Sequence, residues 1–221
     1  MTSESPSGVS SKTKVFPGCE TLLGEGAKGK SIILLTLRNL LGDQNCSALE
    51  MAELFDRFKV ARLRNRLVNL GTDIETNNVL DARFKKLVSG EPQIAEMKHR
   101  APFEFRPYAK LLFSANEFIP SRDHSYGFFR RFQIIRFERI FKESEQDQDL
   151  EETLHHDLPG IFNWALLGLK KLIDNEWVIT ESEAMRNAFQ EFNEAVNPVY
   201  TWSEEKLSFN PELEIRADIL R

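Results

Sequence analysis

The feature that most constrains this chain is an eight-residue run with three glycines, Gly24-Glu25-Gly26-Ala27-Lys28-Gly29-Lys30-Ser31. It has the spacing G-x-x-x-x-G-K-[ST], in which a loop wraps its backbone N–H groups around an anion. The glycines permit that close approach, and the following helix turns the positive end of its dipole toward the same point. Such a loop must leave a strand and enter a helix. The flanks agree: residues 21–23 are a short apolar run, and Ile33, Leu37, Leu40 and Leu41 recur at helical spacing up to Gly42.

The pattern downstream extends the same theme. Residues 49–63 carry a helical periodicity, and residues 66–70 (RLVNL) read as a buried strand that ends at Gly71. Two further strands are predicted at 110–115 (KLLFSA) and 132–137 (FQIIRF). Strands alternating with helices imply an α/β chain with a mostly parallel central sheet flanked by helices. Residues 91–105 (EPQIAEMKHRAPFEF) read as a hairpin, polar and basic in the middle, with Phe103 and Phe105 on the return arm as core residues. Beyond Lys142 the pattern is helical, with an amphipathic helix at 158–173 and another at about 181–196, before Pro198. His155 and His156 read as helix surface. The expected organisation is a flexible lead-in over 1–16, a core over 17–145, a C-terminal helical subdomain over 146–200 and a tail over 201–221.

Composition narrows the function. A net charge of -5 excludes a protein that coats nucleic acid over its whole surface, so any such contact must be local. No apolar run is long enough to span a membrane, and the polar opening residues lack the apolar centre of a secretory signal, so a cytoplasmic protein is expected. Cys19 and Cys46 have no metal-ligand spacing, cannot form a disulfide framework and are given no role.

The glycine run has a specific chemistry when it carries a nucleoside triphosphate. Lys30 reaches the β- and γ-phosphates, and the Ser31 hydroxyl holds Mg²⁺. Hydrolysis also needs a carboxylate at the end of a neighbouring strand to bind the metal and orient water. Asp73 and Glu75 follow RLVNL directly and are the candidates, with the division of labour between them left open.

With these residues in hand, the succession GEGAKGKS, LVNLGTDIE, FKKLVSGEPQIAEMKHRAPFEF, AKLLFSANEFIP and DHSYGFFRRFQIIRFERIF resembles the superfamily 3 helicase domain of phage and plasmid primase-helicases, related to the poxvirus-type primase-ATPases. The resemblance spans about residues 20–200, with the family's blocks in order. It implies an AAA+-like P-loop NTPase fold, ATP and Mg²⁺ as ligands, single-stranded DNA as partner and a homo-oligomeric, hexameric ring. By residue, it implies that Gly24 to Ser31 bind the nucleotide and that Asn116 is the polar sensor of the γ-phosphate. Arg131 becomes the arginine finger offered to the next subunit, with Arg130 in reserve. Lys98 and His99, at the hairpin tip, become the DNA-gripping residues of the central channel. The chain departs from its relatives in having Thr72-Asp73 where two adjacent acids are common, and Lys28 where Asn is common. Little precedes the glycine run, where relatives carry a primase domain and a helical collar.

The expected function is therefore an ATP-dependent helicase motor in phage or plasmid DNA replication, with a primase supplied by another domain or protein. The alternative is a truncated DNA- or replisome-binding module that does not unwind. A small-molecule kinase would share the phosphate loop, but no acceptor site is legible.

Overall fold

The structure is a computed structural model that describes residues 18–26, 28–72, 82–119, 121, 123–197 and 202. The elements follow in the order β1 (Cys19–Leu23), α1 (Lys30–Leu41), β2 (Cys46–Ser47), β3 (Val68–Gly71), α2 (Ala82–Val88), β4 (Gln93–Ala95), β5 (Phe103–Phe105), β6 (Lys110–Ala115), α3 (Tyr126–Phe129), β7 (Phe132–Arg136), α4 (Leu150–His156), α5 (Leu158–Asp174) and α6 (Glu183–Val196). Five strands form one sheet in the order β2-β3-β6-β1-β7, and every pairing in it is parallel. β4 and β5 form a separate antiparallel hairpin. The expected lead-in, and the tail apart from Trp202, lie outside the described residues.

Side chains alternate across a strand, so each strand of a sheet covered on both sides feeds two cores. In β1, Cys19 and Leu23 join the larger core, whereas Leu22 joins the smaller one. β6 divides likewise, with Leu111, Phe113 and Ala115 on one face and Leu112 on the other. The smaller core is closed by α1 through Leu34, Leu37 and Leu41. The larger one contains Phe84 of α2, Phe128 and Phe129 of α3, and Ala188 and Phe192 of α6. There the rings of Phe84 and Phe132 stack at 5.1 Å, and Phe192 lies edge-on to Phe132 at 5.2 Å. Each buried Phe contributes about 1.5–3 kcal/mol through the water it sheds.

Residues 49–63 correct the sequence reading. In place of one helix they form short 3-10 turns at Ala52–Phe55 and Val60–Leu63. The Asp56 carboxylate explains the break, since it accepts from Phe58 N at 2.7 Å and Lys59 N at 3.0 Å, a local bond that competes with helix continuation. Leu49, Met51, Leu54, Val60 and Leu63 are nonetheless buried, so the apolar spacing reported packing correctly and conformation wrongly. β2 is too short to show any periodicity and was not anticipated.

α5 fits the expected amphipathic helix in extent, yet none of its residues is fully buried, and Trp164 is 75% exposed. α6 is capped by Ser182, whose hydroxyl accepts from Met185 N at 3.2 Å. No described helix is long and apolar enough to cross a membrane.

Candidate functional site

The glycine run lies at the carboxyl end of β1, one of the sheet's inner strands. β1 has β6 on one side and β7 on the other, and its last residue, Leu23, is level with Ala115 and Arg136. The chain then turns sharply. Gly24 N donates to Ala115 O at 3.0 Å, and Phe137 N donates to Leu23 O at 2.7 Å. A Cβ on Gly24 would stand 2.5 Å from the Phe137 carbonyl oxygen, a backbone atom that cannot move aside, so only glycine fits. Gly29, at φ 84°, makes the left-handed step that launches α1.

Lys30 is the first residue of that helix and only 7% exposed. A buried ammonium must be satisfied. Its Nζ donates to Gly24 O, to Glu25 O at 3.2 Å and to Asn116 Oδ1 at 3.3 Å. Asn116, 86 positions away, directly follows β6, so the parallel pairing of β1 with β6 delivers it to the lysine. Ser31 is exposed on the first turn of α1. Beside the loop lies a cavity of about 460 Å³ whose lining includes Gly24, Glu25, Lys28, Asn116, Arg136 and Glu138. Arg136 was not anticipated. It ends β7, where register alone brings it to the cavity, and it forms an ion pair with Glu191 of α6. No motif in the sequence marks it.

Asp73, Glu75 and Ala27 lie outside the described residues. Thr72, which precedes Asp73, follows β3 at the same carboxyl end of the sheet, since Gly71 is level with Phe113 of β6.

The Phe128-Phe129-Arg130-Arg131-Phe132 run is set by its aromatics. All three Phe residues are buried, which fixes the backbone and sends the two arginines different ways. Arg131 turns inward: its Nη1 donates to Gly127 O, its Nη2 donates to Ser89 Oγ at 3.0 Å, and its buried Nε has no partner. Burial, and then the charge of Arg130, push the Arg131 pKa down. Arg130 is exposed.

The loop leading into this run is pinned by Asp123, whose carboxylate lies 2.6 Å from Lys85 Nζ on α2 and accepts from Ser125 N at 3.0 Å. Burial alone would raise the Asp123 pKa, but the bonds from Lys85 and Ser125 outweigh it and hold it at about 2. A carboxylate depressed in the folded state stabilises above its unfolded pKa, about 3.9, and that contribution fades as pH falls through the folded value. Asp123→Asn should therefore lower unfolding free energy by about 2 kcal/mol at pH 7. The deficit should shrink between about pH 4 and pH 2. Urea titrations of both proteins across that range check this, and a deficit that does not vary with pH would refute it.

The hairpin is anchored where β4 enters its turn. Ala95 is fully buried, and Glu96 N donates to Arg57 O at 2.9 Å. Phe103 and Phe105 pack partly buried against the main core, as expected. Lys98, His99 and Arg100 stand exposed at the tip, where His99 takes a left-handed φ of 62° and Arg100 N donates to Met97 O at 3.0 Å. No described residue of the hairpin lines the cavity beside the glycine run. Cys19 and Cys46 are free and buried.

Residues 22–131 match the family described as "Family of unknown function (DUF5906)". No curated protein matches. Among solved structures, the A-form apo structure of the NrS-1 C-terminal region has a TM-score of 0.53 at 19% identity, covering 66% of this chain. A second apo structure of that region, residues 305–718, has a TM-score of 0.53 at 18% identity, also over 66% of this chain. This chain spans 34% and 36% of those two proteins, about a third of their length. At these identities the likeness is one of fold: an α/β chain with a five-stranded parallel sheet flanked by helices, as in Rossmann-like and P-loop-type proteins.

Proposed function

We propose that the chain is a P-loop ATPase that drives a ring-forming motor on single-stranded DNA, of the superfamily 3 helicase type. One observation carries the reading. Lys30, buried at the start of α1, and Asn116, at the end of the adjacent strand β6, meet at 3.3 Å beside a cavity at the carboxyl end of a parallel sheet. In open α/β sheets ligands bind outside those strand ends. A lysine whose donors rest on loop carbonyls can pass them to phosphate oxygens without moving its backbone. Asn116 is then in place to sense the γ-phosphate.

In this reading residues 24–31 cradle the triphosphate, Ser31 and Asp73 hold Mg²⁺, and Asp73 or Glu75 orients the attacking water. The metal would supply charge neutralisation at the phosphates. ATP lies between copies of the chain, and a neighbour's guanidinium completes the site. The structure favours Arg130 for that part, because it is exposed, whereas Arg131 is held by Gly127 and Ser89 of its own chain. Arg131 can serve a neighbour only by leaving those bonds. Arg130→Ala should then cut ATP turnover by about 10³-fold, the scale of an arginine finger, while leaving ATP retention and unfolding unchanged. Arg131→Ala should lower the unfolding midpoint. Phosphate-release assays and urea titrations separate the two, and full turnover by the Arg130 variant would return the role to Arg131.

Purified protein that fails to retain ATP sinks the whole reading. The alternative, a DNA- or replisome-binding module without unwinding activity, predicts retention of ATP with no strand separation.

A further inference from the structure

We infer that the groove between the hairpin and the 57–66 segment is a nucleic-acid backbone site, in which Arg62, Arg64 and Arg66 take phosphates of a single strand alongside Lys98. The inference deepens the motor reading and rests on it for the choice of polymer. It extends the DNA contact from a hairpin tip to a built surface.

The groove is a cavity of about 650 Å³, and its wall carries Arg62, Arg64, Arg66 and Lys98 against a single carboxylate, Glu96. That carboxylate is already paired with Arg57 at 3.0 Å. Arg62 and Arg64 are exposed and form no ion pair among the described residues. In a chain of net charge -5 this is a local reversal of sign, the condition for an acidic protein to hold a polyanion at one place.

The cations are also positioned. The Arg64 guanidinium lies over the Phe103 ring, 5.0 Å from its centre, a cation–π contact that restrains where the charge sits. Asn65 adopts a left-handed φ of 60°, and Arg66 is held through Nη1 to Gln44 O. The bond from Glu96 N to Arg57 O ties the start of the hairpin turn to the facing wall. Phe58, 51% exposed, adds an aromatic face. A single anion calls for donors converging on one point. Cations spread along a groove with an exposed ring fit the composition of single-strand sites.

The test is fluorescence anisotropy of a fluorescein-labelled oligo(dT) with the full chain, from about 50 to 200 mM salt. The proteins are wild type, Arg62→Ala/Arg64→Ala and a charge-matched control, Lys170→Ala/Lys171→Ala on α5. ATP retention is measured on the same preparations. The arginine variant should bind about tenfold more weakly at the low-salt end, each lost charge-assisted bond being a sizeable share of affinity. Its slope of log K against log salt should be smaller by about 1.4, or about 0.7 per lost phosphate contact. The lysine control should bind as wild type. Unchanged binding by the arginine variant, or an equal loss in the control, overturns the groove. Full displacement by inorganic phosphate at the same phosphate concentration overturns it in favour of a small-anion pocket. Tighter binding of a duplex overturns the single-strand assignment. Wild type that retains ATP but ignores oligo(dT) sinks the groove and spares the phosphate loop. Arginine-dependent oligo(dT) binding without ATP retention sinks the motor and spares the groove.

Discussion

Replacing Lys30 by Ala is expected to lower ATP turnover by about a hundredfold or more, the usual cost of losing one preorganised donor at a site of developing charge. The Lys30 ammonium touches both halves of the candidate site. It bonds the loop at Gly24 and Glu25 and the side chain of Asn116, so its removal takes away the side-chain bridge from the loop to the residue after β6 and, on the proposed reading, the charge that would compensate the phosphates. Asn116→Ala removes only one end of that bridge and should cost less. Phosphate release with saturating ATP, beside retention of a fluorescent ATP analogue, measures both. Turnover of the Lys30 variant within about threefold of wild type would show that the loop is not where the chemistry occurs.

The second large effect is expected from Asn69, a fully buried polar residue in β3. Its Oδ1 accepts from Ser47 Oγ at 2.9 Å and Leu49 N at 2.8 Å, and its Nδ2 donates to Leu49 O at 2.9 Å. One amide thereby satisfies both backbone groups of Leu49 and ties the segment after β2 to the sheet. Asn69→Ala takes the amide partner from two buried backbone groups, Leu49 N and O, each at about 1–3 kcal/mol, while Ser47 Oγ keeps Val68 O as an acceptor, so a loss of about 3 kcal/mol is expected. Against a total stability of roughly 5–15 kcal/mol that is a large fraction. Urea unfolding measures it, with Ser47→Ala as a comparison that removes one bond. A loss under about 1 kcal/mol for the Asn69 variant would mean that water replaces the amide. β3 leads directly to Thr72 and then Asp73, so the same substitution should also slow turnover without weakening initial ATP binding.

These two residues show how unevenly the site was legible. Lys30 belongs to a motif whose spacing states its chemistry. Asn69 sits between Val68 and Leu70 in RLVNL, where a polar residue in an apolar run reads only as an interruption. Its partners lie 20 and 22 positions back, beyond the reach of any periodicity. The run from Phe128 to Phe132 is a middle case. Its arginines were evident, but their divergence was not, because it follows from three buried rings packing against α2 and α6.

Elements whose character is local were read well. The strands expected at 110–115 and 132–137 appear as Lys110–Ala115 and Phe132–Arg136, and the hairpin expected over 91–105 appears as β4 and β5. Residues 49–63 failed because apolar spacing reports which side chains face a core, while the Asp56 side chain decided the backbone.

By itself, the sequence determined the alternation of strand and helix, the glycine loop and its lysine, and the hairpin with its basic tip. All of these depend on neighbours within a few positions, where steric and hydrogen-bonding preferences act directly. Only the tertiary structure decided that Asn116 meets Lys30, that Arg136 reaches the same cavity, that Arg131 turns inward while Arg130 does not, and that Arg62, Arg64 and Arg66 face Lys98 across a groove. The meetings of Asn116 and Arg136 with the glycine run are set by the strand order β2-β3-β6-β1-β7, the others by how the rings of Phe128 to Phe132 and the separate β4–β5 hairpin pack, and all of these are chosen by how two cores close on opposite faces of one sheet. That is a property of the whole chain and of no segment within it.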